Sequence, residues 1–124
     1  MKKLLLILLL FLSVNMYSQT FYANYLSTMS LISKDKWSDW SEWESCFYKV
    51  IIDLDSNTIV INGSKHIIDK YIETIIDDNS KTTKYTVINY DNKTCFIRLR
   101  EQKDGVKQLY VDYDSIIYVY NLVY

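Results

Sequence analysis

The chain has 124 residues, 49% of them hydrophobic and 23% charged, with a formal net charge of −1 at pH 7. That length holds one domain with one modest core, and the charge leaves no basic stripe of the kind that nucleic acid or an anionic membrane surface demands. Two cysteines and a single histidine make a poor zinc ligand set, and nothing in the sequence calls for a cofactor.

In chain order, Met1-Lys2-Lys3 is followed by an apolar run from Leu4 to Leu12 and a polar stretch with small residues from Ser13 to Ser18. A basic start, a short apolar core and a small residue at the cut form a secretory signal peptide. The run is shorter than the ~20 residues a membrane-spanning helix needs. Residues 1–18 are therefore expected to be an export signal, cut after Ser18, and residues 19–124 a single exported β-domain of the periplasm or the medium. The wealth of Ile, Lys, Asn and Tyr points to an AT-rich bacterial genome. The next segment, Thr20 to Ser33, reads as a first strand or a short helix. Phe47 to Leu54 is a strand with Val50, Ile52 and Leu54 on one face, followed by the turn residues Asp55-Ser56-Asn57. Thr58 to Ile61 is a second strand, closed by the tight-turn dipeptide Asn62-Gly63.

Lys65 to Ile76 fits helical spacing at Ile68, Ile72, Ile75 and Ile76, but its β-branched content favours a strand. Asp77 to Ser80 turns the chain, and Lys84 to Tyr90 alternates with Tyr85 and Val87 inward. After Asp91-Asn92-Lys93, Thr94 to Arg100 places Cys95, Ile97 and Leu99 on one face and Phe96, Arg98 and Arg100 on the other. Lys103-Asp104-Gly105 is a hairpin signal, and Leu109–Tyr113 and Ile116–Leu122 complete the series. The expected fold is all-β, a small antiparallel meander closing as a barrel or packing as a sandwich. Its last strand, interrupted in apolar character only by Asn121, is a candidate for pairing with a second copy.

Three local resemblances follow from particular residues. Trp37-Ser38-Asp39-Trp40-Ser41 matches the WSxWS box of cytokine receptors, which lies near the C-terminal end of a fibronectin-type domain; here it lies near the start of the mature chain, with all the strands after it. Trp37, Trp40, Trp43 and Cys46 resemble the tryptophan ladder of thrombospondin type 1 repeats, a family held by three disulfides where this chain has two cysteines. Ile116, Tyr118, Tyr120, Leu122 and Tyr124 resemble the closing strand of bacterial outer-membrane barrels. Such barrels need strands of about 9–11 residues, longer than most read here. Stacked indoles would otherwise cap an open barrel end or make a flat platform for a sugar ring or a protein.

Chemistry has few candidates. Asp53, Asp55 and Asn57 open like a calcium loop, but Thr58 and Ser64 replace the glycine and glutamate it needs. Asn62-Gly63-Ser64 and Asn92-Lys93-Thr94 are formal glycosylation sequons. His66 has no local nucleophile or orienting partner and reads as a surface side chain. A carboxylate pair would need a cleft that a barrel of this size leaves little room for. Cys46 and Cys95 are either a disulfide or two buried thiols. The expected function is non-enzymatic binding of a protein partner at the envelope or outside the cell. Trp37, Trp40 and Trp43 come first as binding residues, then Tyr110, Tyr113, Tyr118 and Tyr120. The alternatives are a lipocalin-like carrier of a small apolar or sugar ligand, with Ile97 and Val111 facing its cavity, and a small outer-membrane barrel.

Overall fold

A computed structural model describes residues 18–124; the export signal read in residues 1–18 lies, Ser18 apart, outside the described residues. The strands are β1 (Gln19–Ser33), β2 (Lys36–Trp37), β3 (Glu44–Asp53), β4 (Thr58–Ile61), β5 (Ser64–Ile76), β6 (Ser80–Ile88), β7 (Thr94–Gln102), β8 (Lys107–Asp112) and β9 (Ile116–Val123). From β3 onward each strand pairs antiparallel with the next, and β9 returns to β1 between Tyr22↔Val123 and Ser30↔Ile116. Eight strands thus close into a barrel, with β2 as a two-residue addition beside the far end of β1.

Alternation and turn chemistry build this ring. Along β7, Cys95 and Ile97 are buried and Leu99 packs against them, while Phe96 and Arg98 lie outside. Along β9, Tyr118, Tyr120 and Leu122 point into the barrel. The β4–β5 hairpin turns on Asn62 and Gly63 with φ of 49° and 83°, the pair of positive values that a two-residue turn requires. Elsewhere the left-handed positions fall to Gly105 and to Asp35, Asn57 and Asn92, whose short side chains tolerate them. The Asp77 carboxylate accepts the Asn79 and Ser80 N–H groups, and the Asn89 amide oxygen accepts those of Asp91 and Lys93.

The core is a belt across the barrel. Ala23, Val50, Ile59, Val87, Ile97 and Leu109 are fully buried, each from a different strand. Burying a side chain of the larger kind contributes about 1.5–3 kcal/mol.

Several expectations change. A sandwich is ruled out by the β9–β1 pairing, which closes the sheet. Residues 20–33 are strand and not helix, because Phe21 and Ala23 alternate inward and β1 has neighbours on both edges. The last strand offers no edge to a second copy, since β8 and β1 occupy both. Residues 65–76 are strand, but the outer half of β5 has only β6 beside it, and bulges after Ile68 and Tyr71 leave Ile75 and Ile76 exposed. Cys46 and Cys95 are both free. They stand on β3 and β7, four places apart in a ring of eight strands, and so face each other across the full width of the barrel.

Candidate functional site

The two barrel ends differ. At the end rimmed by turns 54–57, 77–79 and 103–106, a recess of about 210 Å³ remains. At the opposite end, turns 62–63, 89–93 and 113–115 rim a cavity of about 830 Å³. Ile61 and Val111 line its floor against the belt, and Tyr48, His66, Tyr113, Tyr118 and Tyr120 line its wall. Sequence reasoning allowed little room for such a cleft. The room arises because the aliphatic belt fills only the middle and the strands carry the wall beyond it.

The tyrosines form a chain of contacts. Tyr48 and Tyr120 have ring centroids 6.1 Å apart, Tyr120 and Tyr118 lie 6.4 Å apart at 13°, and Tyr118 meets Tyr113 edge-on at 6.1 Å. Tyr48 and Tyr120 reach each other from β3 and β9 because the intervening β1 presents Ala23, which faces Tyr48 on one side and Leu122 on the other.

Burial sets the protonation of this wall. The Tyr120 hydroxyl is pushed well above the ordinary range by burial, and that of Tyr113 is raised by burial against the opposing effect of an Asn89 hydrogen bond. His66 is 4% exposed, not the surface side chain expected, because its position on β5 points inward. Its Nδ1 lies 3.1 Å from the Ser64 carbonyl oxygen, and burial pulls its pKa below 6.5, which keeps the ring neutral at pH 7. The Cys95 thiol is pushed up to about 11 by burial and by the Asp112 charge, and Cys46 is raised by burial. The charges of the cup are those of Asp91, Lys93 and Asp114 in its rim turns. Among the described residues, no three His, Cys, Asp or Glu side chains converge as metal ligands.

A second feature lies on the outer wall. Residues 38–41 run along β1 like an extra strand: the Ser38 and Ser41 N–H groups donate to the Ser30 and Thr28 carbonyls, each at 2.8 Å. The serine hydroxyls complete the seam, Ser38 Oγ accepting from Ser30 N–H and Ser41 Oγ from Thr28 N–H, both at 2.9 Å. Ser27 Oγ donates to the Ser41 carbonyl at 2.6 Å. This seam lays Trp40 and Trp43 over the outside of β1, β8 and β9, where they share a groove of about 170 Å³ with Tyr110 and Gln108 and cover Val119, which is 3% exposed. Trp40 meets Tyr110 edge-on at 6.1 Å. On the far side of Tyr110, the Arg98 guanidinium stacks 4.3 Å from the ring centroid and grips Asp112 through two hydrogen bonds of 2.6 and 2.8 Å.

The predicted binding residues therefore divide between two places. Trp40, Trp43 and Tyr110 meet on the outer wall; Tyr113, Tyr118 and Tyr120 meet in the cup. Trp37 joins neither, being opposite Leu31 in the β1–β2 pair. The tryptophans cap no barrel end. Ile97 belongs to the belt, while Val111 lines the cavity. Sequence reasoning missed Tyr48, His66 and Asn89 in the cup. Tyr48 shares the parity of Val50 and Ile52, a signal that was legible; the inward turn of Asn89 was not.

No family model matches the chain, and no curated protein or solved structure matches it.

Proposed function

We propose that this chain is an exported, non-catalytic binding domain that takes one small, uncharged, ring-bearing molecule into the tyrosine cup. The cup carries this reading. Its volume, about 830 Å³, falls within the roughly 300–1,000 Å³ typical of small-molecule pockets, and an eight-stranded barrel has an interior suited to one such ligand. Tyrosine rings offer flat apolar faces and hydroxyls at once. The neutral state of His66, Tyr113 and Tyr120 favours an uncharged guest, since a buried charge would find no partner on the inner wall. The basic start and short apolar run of the sequence support export. An aliphatic interior behind an outer wall bearing Lys49, Lys84 and Arg98 supports a barrel in water, because a membrane barrel inverts that arrangement.

The test uses the neutral probe N-phenylnaphthylamine. Equimolar binding is expected, weakened at least about tenfold by Ser64→Trp, which places an indole at the cup mouth, and unchanged by Trp40→Ala on the outer wall. Failure of the probe to bind, or binding indifferent to Ser64→Trp, overturns the proposal. A second reading, a protein-binding module, is favoured by Trp40 and Trp43, which stay 41% and 49% exposed although they sit on a barrel wall.

A further inference from the structure

His66 is the chain's single histidine, and it lines the cup from β5 while only 4% exposed. Its two ring nitrogens are not equivalent. Nδ1 lies 3.1 Å from the Ser64 carbonyl oxygen. A carbonyl can only accept, so Nδ1 carries the one proton of the neutral ring and Nε2 is left as a bare lone pair. The ring is neutral at pH 7 because burial outweighs the pull of the Ser64 and Ile59 carbonyls toward the cation. Nε2 has no partner among the described residues, yet no buried side-chain nitrogen or oxygen there goes without a hydrogen bond. Nε2 therefore keeps contact with open space, and the space beside His66 is the cup. The rest of the wall differs in kind. The hydroxyls of Tyr48, Tyr118 and Tyr120 can each donate or accept, whereas Nε2 can only accept.

We infer that the guest of the cup is an aromatic hydrogen-bond donor, a ring bearing an O–H or N–H group that points at His66 Nε2. The inference rests on the small-ligand reading and gives that ligand its chemistry. A ring that fills the cup expels water from the wall. A guest without a donor then leaves Nε2 dry and unpaired, which is the costlier side of any hydrogen bond. A site built around a polar group rejects the analogue that cannot pair it far more strongly than an apolar pocket rejects a small change of shape. The tyrosines set the aromatic half of the requirement. Tyr118 and Tyr120 lie at 13° to each other, and Tyr48 and Tyr113 continue their line at steeper angles, so a guest ring finds both faces and edges to pack on.

The experiment titrates the full chain with two matched pairs of probes, 1-naphthol against 1-methoxynaphthalene and indole against 1-methylindole. Each pair exchanges one donor hydrogen for a methyl group; the first tests an O–H, the second an N–H. Calorimetry gives the affinities, and nitrogen resonances of the isotope-labelled chain report both ring nitrogens of its one histidine. In the free protein Nδ1 is expected to show the protonated resonance and Nε2 the bare one. In at least one pair the donor is expected to bind about tenfold tighter than its methyl derivative, although the derivative is the more apolar. The same donor should move the Nε2 resonance toward the protonated position. His66→Phe, which keeps a flat ring and removes the acceptor, should abolish the preference and leave the methyl derivatives bound. The resonances of the parent need no variant, so they decide the question even if His66→Phe fails to fold. A bare Nδ1 in the free protein, equal affinity within both pairs, an Nε2 resonance that no donor moves, or a preference that survives His66→Phe overturns the inference. The cup reading then still stands, provided that binding remains sensitive to Ser64→Trp. If none of the four probes binds, the inference falls alone where N-phenylnaphthylamine still occupies the cup, and together with the cup reading where it does not.

Discussion

Replacing Ile97 by alanine, alongside Tyr118 by alanine, separates a packed belt from an open cup. Ile97 is fully buried in the middle of β7. Losing its three outer carbons forfeits about 2.4 kcal/mol at ~0.8 kcal/mol per group. The belt draws one side chain from nearly every strand and cannot collapse into the gap, so a cavity penalty raises the cost to about 3–4 kcal/mol. For a domain of this size that corresponds to a fall in Tm of roughly 12–30 °C. Tyr118 is half-buried and touches Tyr113 and Tyr120. Its loss removes two ring contacts of about 0.5–1.5 kcal/mol each, and water fills the space through the mouth, so no dry cavity forms. The expected cost is about 1–2 kcal/mol. Urea unfolding followed by far-UV circular dichroism measures both. Equal costs for the two variants would refute the division, since Tyr118 would then be core and the cup closed in solution.

The titration of His66 gives a second prediction. Its folded pKa lies below 6.5, so the unfolded chain binds the extra proton, and stability present above pH 6.5 is lost as pH falls through the folded value, with a slope of up to about 1.4 kcal/mol per pH unit. His66→Gln should flatten that slope between pH 7 and pH 5; an unchanged urea midpoint in the parent over this range would contradict its burial. Asp77, whose carboxylate is held below 3.8 by its hydrogen bonds to Asn79 and Ser80, acts only at lower pH and leaves that window clear. The thiols give a third prediction: denatured, unreduced protein should show both cysteines free to a thiol reagent, while native Cys95 reacts slowly because its thiol is pushed up to about 11. A mass gain of two hydrogens on reduction would instead reveal a bridge. Finally, Ser41→Ala removes the acceptor of the Thr28 N–H group. It should cost about 1 kcal/mol and shift tryptophan emission to the red, whereas unchanged emission would mean that the seam does not hold Trp40 and Trp43.

Strand positions were legible because each strand announces itself by alternation and each hairpin by Asn, Asp or Gly. Val87, Cys95 and Ile97 fell on the expected inner face for that reason. What could not be read was closure. The β1–β9 pairing joins residues nearly a hundred positions apart, and no local pattern encodes it. Closure in turn decides which aromatic residues meet. Tyr110 and Tyr118 look alike in sequence, yet lie on opposite faces of the wall because Tyr110 shares its register with outward Arg98 and Tyr118 with inward Val111. The burial of His66 was hidden by its place three residues after an exposed glycine, where a histidine reads as surface. The tryptophan run was visible, but its seat was not, since the serines between the indoles bond to β1 and carry the rings round to β8 and β9.

The interior of the barrel is shared between two demands, and the position of the belt sets the division. Had the aliphatic side chains been spread along every strand, the barrel would be filled from end to end, as small eight-stranded barrels commonly are. Instead the inward positions beyond Val50, Ile61 and Val111 pass to Tyr48, His66, Tyr113, Tyr118 and Tyr120. Tyrosine at these sites is a compromise: its ring still packs on the belt, while its hydroxyl tolerates water at the mouth. The rim is then stiffened where it would otherwise open, because buried Asn89 ties the 89–93 turn to itself through the Asp91 and Lys93 N–H groups and also reaches Tyr113. On the small-ligand proposal, a cup sealed below by the belt and braced above by Asn89 would need little of the chain to become ordered on binding. Preorganisation of that kind is what allows a small molecule to be held by a few rings.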